Sequence, residues 1–425
     1  MIAPQDQPAP PSPRIEPDPA RWPRLRDDLA RSIVASATPE RGDRLFPGDV
    51  EQFSVGGLGL AYGAAGVLYA LSVTGGDRYP RFERWLVHRA TNPPRGTRPG
   101  LYDGLHGAAF TLDHLGYRQQ ALDTLDICLR EDWESLGSDL AGGLAGIGLN
   151  LLHFADRTGE PALRLAAHRA AELVAERVAA RRLDGERLDG ERRDAERPDA
   201  ERPDGAGAGS EISGRNGRYA GLLRGSAGMA LLLLRAFDDT GDTGFLDRAA
   251  EALRQDLRCC ILRDSGTLEV NEGWRTMPYL GVGSVGIGLV LDEYLARRHD
   301  EQFATASRGV QLAARSSMYV LSGLFSGRAG ILLYLAGRSP APATDPLVAK
   351  QVRGLAWHAL PYGGGLAFPG AGLLRLSMDL ATGTAGVLLA LGSALHDEPV
   401  HAPLLAPTRR PAAAPQTPAP TGAGR

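Results

Sequence analysis

Ten side chains with chemistry to offer stand inside, or within four residues of, a short phrase in which two glycines flank two other residues. His106 can take or give a proton near neutral pH. Tyr102 and Asp103 share its phrase, and Asp139 can position the imidazole or act as a base. Asp379 holds the place that Asp139 holds, in Asp-Leu-Ala-Thr-Gly against Asp-Leu-Ala-Gly-Gly. Arg224 and Arg328 can hold an anionic group. Tyr279, Ser284 and Ser326 complete the set as candidate lining residues of a pocket. Structural roles fit the same residues: a helix-start histidine bonded to backbone, aspartates capping helices, and arginines paired to Asp139 or Asp379.

The phrase occurs seven times, at Gly63–Gly66, Gly104–Gly107, Gly143–Gly146, Gly225–Gly228, Gly283–Gly286, Gly327–Gly330 and Gly383–Gly386, each followed by about ten mostly apolar residues. Steps of 41, 39, 82, 58, 44 and 56 residues predict one supersecondary unit used seven times, with insertions. The runs after the phrases, such as Met229-Ala-Leu-Leu-Leu-Leu, are apolar on all sides and predict buried helices. Leu163–Arg181, Tyr117–Trp133, Phe245–Ile261 and Gln302–Tyr319 read as amphipathic helices lying outside them. Pro19–Ser36 supplies the outer partner of the last inner helix. Seven inner and seven outer helices closing in a ring make an all-α, (α/α)7 toroid, whose converging loops are the expected site.

The toroid is read over 21–397. Segments 1–20 and 398–425, rich in Pro with Asp or Ala, are expected to be disordered. So is the charged insertion 183–209, where Leu-Asp-Gly-Glu-Arg begins a repeat. With 43% hydrophobic residues, 23% charged residues and a net charge of −3, nothing in the 425 residues points to nucleic acid or an anionic membrane as main partner. No secretory signal and no membrane-spanning run is read. Three cysteines suit a reducing cytoplasm.

In order along the chain, Ser36-Ala-Thr-Pro39, Arg44-Leu-Phe-Pro-Gly48, Glu51-Gln-Phe53, Gly56–Tyr62 and Gly100–Gly107, together with the seven phrases, resemble lanthionine synthetase C-like cyclases. The resemblance covers about residues 20–396 and is strongest to the C-terminal cyclase domain of class III lanthipeptide synthetases. It implies the toroid fold. It also implies addition of Cys thiols to dehydroalanine or dehydrobutyrine in a dehydrated precursor peptide, giving lanthionine or labionin rings. Lyase and kinase components, separate or fused, are the implied partners. Zinc-dependent members place a Cys where this chain has Gly281, a Cys-His pair where it has Phe325 and Ser326, and a His where it has Arg224. With these ligands missing no metal is expected, and no other cofactor. Asp139 carries over.

Chemistry without the metal is reasonable on magnitudes. A thiol of pKa ~8.5 is roughly 10% ionised near pH 7.5, a shortfall of only ~1.4 kcal/mol in barrier. Holding thiol and alkene together is worth ~7–11 kcal/mol. Inner-helix N-termini aimed at the ring centre are expected to offer unpaired N–H donors to a thiolate or enolate. Two rival functions stand beside this one. The first is a non-catalytic scaffold that binds precursor peptide for a partner. The second is a glycoside-processing toroid using Asp139 and Asp379 as its carboxylate pair, although only Trp274 lies near a phrase for sugar stacking.

Overall fold

Each glycine phrase turns the chain into a helix, and seven such helices line the inside of the molecule. The computed structural model describes residues 14–195 and 219–406. Among these residues the inner helices are α3 (Ala64–Val73), α5 (Leu105–His114), α7 (Leu144–Thr158), α9 (Ser226–Thr240), α11 (Ser284–Leu295), α13 (Arg328–Arg338) and α15 (Thr384–Leu395). The outer helices are α1 (Trp22–Ala35), α4 (Pro80–Thr91), α6 (Arg118–Leu129), α8 (Pro161–Ala195), α10 (Thr243–Leu257), α12 (Glu301–Ala313) and α14 (Pro346–Leu355), and the short α2 (Gln52–Val55) lies ahead of the first phrase. Each inner helix packs on the next, α15 packs on α3, and α1 covers α15, so the ring closes as an (α/α)7 toroid. Burial explains the two layers. Nearly every residue of α15 is buried, whereas α14 buries only Val348, Gln351, Val352 and Leu355. Several outer helices start on an aspartate cap: Asp242 accepts from the Gly244 N–H (2.8 Å) and Asp300 from the Phe303 N–H (3.1 Å).

A leucine three residues before the first glycine recurs in all seven phrases: Leu60, Leu101, Leu140, Leu222, Leu280, Leu324 and Leu380, each fully buried. Each packs against the second glycine of the following phrase. A Cβ added at Gly66 would lie 2.8 Å from the Leu380 Cβ, and one at Gly330 would lie 2.8 Å from the Leu280 Cβ. The second glycine is therefore a close-approach position that admits the neighbour's leucine.

One residue nearer the glycine, the backbones join. The Ala61 N–H donates to the Tyr102 carbonyl (2.7 Å), Tyr102 to Ala141 (2.8 Å), Ala141 to Leu223 (3.1 Å) and Leu223 to Gly281 (2.9 Å). Gly281 donates to Phe325 (2.7 Å), Phe325 to Ala381 (3.0 Å) and Ala381 back to Ala61 (2.9 Å). Seven equivalent hydrogen bonds thus close a ring at the loop end of the toroid.

Three boundaries differ from the sequence expectation. Residues 14–20 are ordered, with Ile15 buried at 2% exposure, because Ile15 reaches the core beside α1. Residues 398–406 are packed, not disordered: Val400, Ala402 and Leu405 are buried. Helix α8 runs to Ala195, into the segment read as an insertion. The rest of that segment, and residues 1–13 and 407–425, lie outside the described residues.

Two small antiparallel sheets add to the toroid. One comprises β1 (Cys260–Leu262), β2 (Leu268–Asn271) and β3 (Thr276–Met277); the other comprises β4 (Leu360–Tyr362), β5 (Gly365–Pro369) and β6 (Leu376–Ser377). Cys260 thus lies in a strand and not in an outer helix. No helix among the described residues is long and apolar enough to cross a membrane.

Candidate active site

The hydrogen-bonded ring sorts the loop side chains. At the ring position itself Ala61, Tyr102, Ala141, Gly281, Phe325 and Ala381 are buried and Leu223 is half-buried. The next residue in each phrase is Tyr62, Asp103, Gly142, Arg224, Val282, Ser326 or Thr382. Arg224 is exposed, and Tyr62, Gly142, Val282 and Ser326 are half-buried, so this second tier forms a crown at the mouth.

The polar heart of the crown lies across the first four phrases. Asp103 is 8% exposed; its Oδ2 accepts from Arg98 Nη1 at 3.2 Å and its Oδ1 has no partner. Gly142 stands between two carboxyl groups. Its N–H donates to Asp139 Oδ1 (2.9 Å), and a Cβ placed on it would meet Asp103 Oδ2 at 2.7 Å. Burial raises the Asp103 pKa; Arg98 opposes this, the Asp139 charge adds to it, and Arg224 opposes it. Arg224, with no ion-pair partner among the described residues, also acts electrostatically on Tyr62. The structure therefore brings Asp103, Asp139 and Arg224 into one cluster.

The other candidates separate from it. His106 does not face a solvent-filled mouth. It is 0% exposed, its Nδ1 meets Asn150 Nδ2 of α7 at 3.1 Å, and its Nε2 has no partner. Burial pushes its pKa down to about 3, so the imidazole is a neutral packing group between α5 and α7. Tyr102 is 1% exposed and points inward. Its ring meets Phe325 edge-on at 5.1 Å, and its hydroxyl donates to the Pro403 carbonyl (2.9 Å).

Asp379 is 1% exposed and accepts from the N–H groups of Asp49, Thr382 and Gly383 and from the hydroxyls of Ser377 and Thr382. It ties the first phrase's approach loop to the seventh phrase and cannot pair with Asp139 across a substrate. Arg328 is buried beneath the rim, bonded to Gln351 Oε1 (2.7 Å) and the Ser317 carbonyl (3.0 Å), with Tyr319 under its guanidinium. Ser284 is fully buried. Tyr279 is half-buried against Tyr319, and Ser326 stays on the crown.

Helix N-termini are not free donors either. The first N–H groups of the inner helices return to carbonyls seven residues back, as in Ala64 to Gly57 (2.9 Å), Leu105 to Arg98 (2.9 Å) and Arg328 to Leu321 (2.9 Å). In the fourth unit the carboxylate of Asp256 does this work. Reaching in from α10, it accepts from the N–H groups of Gly221, Ser226 and Ala227, each at 2.9 Å.

Zinc does not fit this ring. Gly281 and Phe325 offer no donor side chain, and a Cβ at Gly281 would lie 2.8 Å from the Phe325 Cβ. The Tyr102–Phe325 pair fills the space beneath. A cavity of about 500 Å³ lined by Leu149, Leu152, His153, Arg235, Asp238 and Leu404 lies elsewhere, among the C-terminal halves of α7 and α9. It contains none of the crown residues.

The C-terminal segment closes the interior from that far end. Tyr69 of α3 donates to the His401 carbonyl (3.0 Å), Tyr102 to Pro403, and Arg235 of α9 to the Ala406 carbonyl (3.1 Å). The mouth is thus a cup with a floor.

Burial of His106 has a measurable consequence. Its unfolded-state pKa is ~6.5 and its folded-state value about 3. Between these the unfolded chain binds the proton and the folded chain does not, so stability falls as pH falls through that window. By pH 5 the cost is about 2 kcal/mol. His106→Leu should therefore lose less Tm between pH 7 and pH 5 than wild type does, as read by thermal melts; equal losses would refute the buried neutral assignment.

No family model matches the chain. It is 48% identical over 409 residues to the probable SapB synthase of Streptomyces coelicolor, an alignment covering 95% of this chain and 41% of that protein. The chain thus spans about two-fifths of that relative's length. Among solved structures, similarity extends to an inactive variant of an α-1,6-mannanase of Salegentibacter (TM-score 0.42, 9% identity, 88% of this chain and 98% of that one). It extends also to a mutant unsaturated glucuronyl hydrolase from Streptococcus agalactiae (TM-score 0.42, 10% identity, 91% and 94%).

Proposed function

We propose that this chain is a ring-forming unit of lanthipeptide biosynthesis. It adds Cys thiols of a dehydrated precursor peptide to dehydroalanine or dehydrobutyrine, without zinc. The observation that carries the reading is the Asp103–Asp139–Arg224 cluster on the crown, in phrases that resemble those of the cyclases. The 48% identity to a probable SapB synthase supports it.

The roles follow from the chemistry. The paired carboxyl groups take the thiol proton. Burial and the neighbouring negative charge raise the Asp103 pKa and so bring the acceptor closer to the thiol, which makes the transfer less uphill. Arg224 holds the acceptor's carbonyl and the negative charge that grows on it. The wall and floor of the cup position the peptide, and this is the larger contribution. Phe53 is 70% exposed, with Arg375 5.4 Å and Arg44 6.0 Å from its ring. This apolar and cationic rim suits a peptide. The alkene must be supplied by a dehydration, which assigns kinase and lyase steps to other components, separate or fused.

The test is incubation with a dehydrated precursor peptide, followed by thiol alkylation and mass spectrometry. Alkylatable thiols should disappear faster with the protein than in buffer. Peptide binding with no acceleration would leave a scaffold.

A further inference from the structure

The proposed addition needs a proton for the α-carbon, and none of the residues assigned so far supplies it. We propose that Tyr62 is the proton donor of the crown, an assignment that rests on the cyclase reading above. Tyr62 occupies the same register position in the first phrase that Asp103 and Arg224 occupy in the second and fourth. Its backbone is clamped, since Gln52 Nε2 donates to its carbonyl (2.6 Å) and Gln52 Oε1 accepts from the Gly48 N–H (3.1 Å). Its side chain is half-buried, and its hydroxyl has no hydrogen-bond partner among the described residues. The other phenols of the cup interior, Tyr69 and Tyr102, each spend their hydroxyl on a backbone carbonyl. Among the described residues Tyr62 therefore keeps an unpaired O–H on the crown.

Its surroundings keep that proton in place until it is needed. Burial and the carboxylates of Asp379, Glu51 and Asp49 push its pKa up, with Arg224 opposing. The phenol stays protonated at neutral pH, yet remains a far stronger acid than the α C–H bond that the transfer forms. Arg224 can steady the phenolate after transfer.

The step balances. The Cys S–H gives its proton to the carboxyl pair. The Sγ–Cβ bond forms as the Cα=Cβ π pair moves onto the enolate. The Tyr62 O–H proton then goes to Cα, and the phenolate recovers a proton from the carboxylic acid. The net change moves the thiol hydrogen to Cα, with no oxidant or reductant. A donor fixed on one side of the mouth delivers to one face of the enolate, so Tyr62 also sets the configuration at Cα.

The experiment uses the full chain and a synthetic peptide containing one Cys and one dehydroalanine. It reads ring-closure rate, peptide Kd, and the D/L composition of the new α-carbon after hydrolysis. Tyr62→Phe should slow closure by roughly 10–10³-fold, leave Kd unchanged, and reduce the stereochemical excess to that of the peptide in buffer. A purely structural role for Tyr62 would not move the D/L ratio of the product that still forms. Retention of the wild-type excess by Tyr62→Phe would overturn this assignment and leave the cyclase reading standing. A wild-type chain that neither speeds closure nor biases the ratio would overturn both.

Discussion

Asp139→Asn should slow ring closure by roughly 10²–10⁴-fold, the range for loss of a positioned acid–base group. The loss should appear in kcat, with peptide affinity nearly unchanged. The variant keeps the fold, because an Asn side-chain oxygen can still accept the Gly142 N–H that Asp139 now accepts. Asp103→Asn should fall in the same range, and the double variant should be little worse than the worse single one, since the two carboxyl groups act as a unit. His106→Leu at pH 7.5 should cyclise close to normally, because the imidazole is sealed between α5 and α7. Single-turnover mass spectrometry on a dehydrated peptide reads all four proteins. Normal rates for both carboxylate variants would remove the acid–base assignment and leave positioning as the only contribution.

Ending the chain after Asp397 should be the most destabilising simple change. It removes Val400, Ala402 and Leu405 from the core and takes away the carbonyl acceptors of Tyr69 and Tyr102. Burying a Val or Leu is worth about 1.5–3 kcal/mol each, and each buried hydroxyl left unpaired costs about 1–3 kcal/mol. Together these imply a loss of roughly 5 kcal/mol or more, a large part of a typical folding free energy. A chain ending at Ala406 keeps every one of these contacts and is the control. Denaturant midpoints of the two truncations compare them directly; equal midpoints would show that the segment does not brace the interior.

The architecture was legible because its grammar is repeated. Seven phrases and all-round apolar runs gave the inner ring, and amphipathic stretches gave the outer one. The recurring leucine was written in the sequence too, three residues ahead of each first glycine, and went unread. The hydrogen-bonded ring left no such trace. Its seven positions hold Ala, Tyr, Ala, Leu, Gly, Phe and Ala, because a backbone bond asks nothing of the side chain.

The site was half legible for a related reason. Asp139 and Asp379 occupy the same place in their phrases, yet only Asp379 is roofed by the 46–51 loop and its Asp49 N–H. Arg224 precedes its glycine and reaches the mouth; Arg328 follows its glycine and is folded under. His106 lies two residues past its glycine, already on the face that α5 turns toward α7. Such differences of one or two residues are settled by helix phase, not by residue type. Tyr62 and Asp256 went unread because one resembles ordinary packing and the other sits on an outer helix. The C-terminal segment was misread because Pro and Ala dominate its composition, although Val400, Leu404 and Leu405 were the apolar signal within it.

The seven bonds that close the loop ring run head to tail around a circle. Each N–H···O=C unit carries a dipole along the local tangent, and equivalent tangents spaced around a closed circle sum to nearly nothing. The ring therefore holds seven loops in place while contributing almost no net field along the axis of the cup. The potential an incoming peptide meets there comes instead from the crown side chains and from the N-terminal ends of the inner helices. Scaffold and charge are separable at the crown: the backbone bonds that hold the loops ask nothing of the charge carried by the next residue, which is Asp103 in one phrase and Arg224 in another.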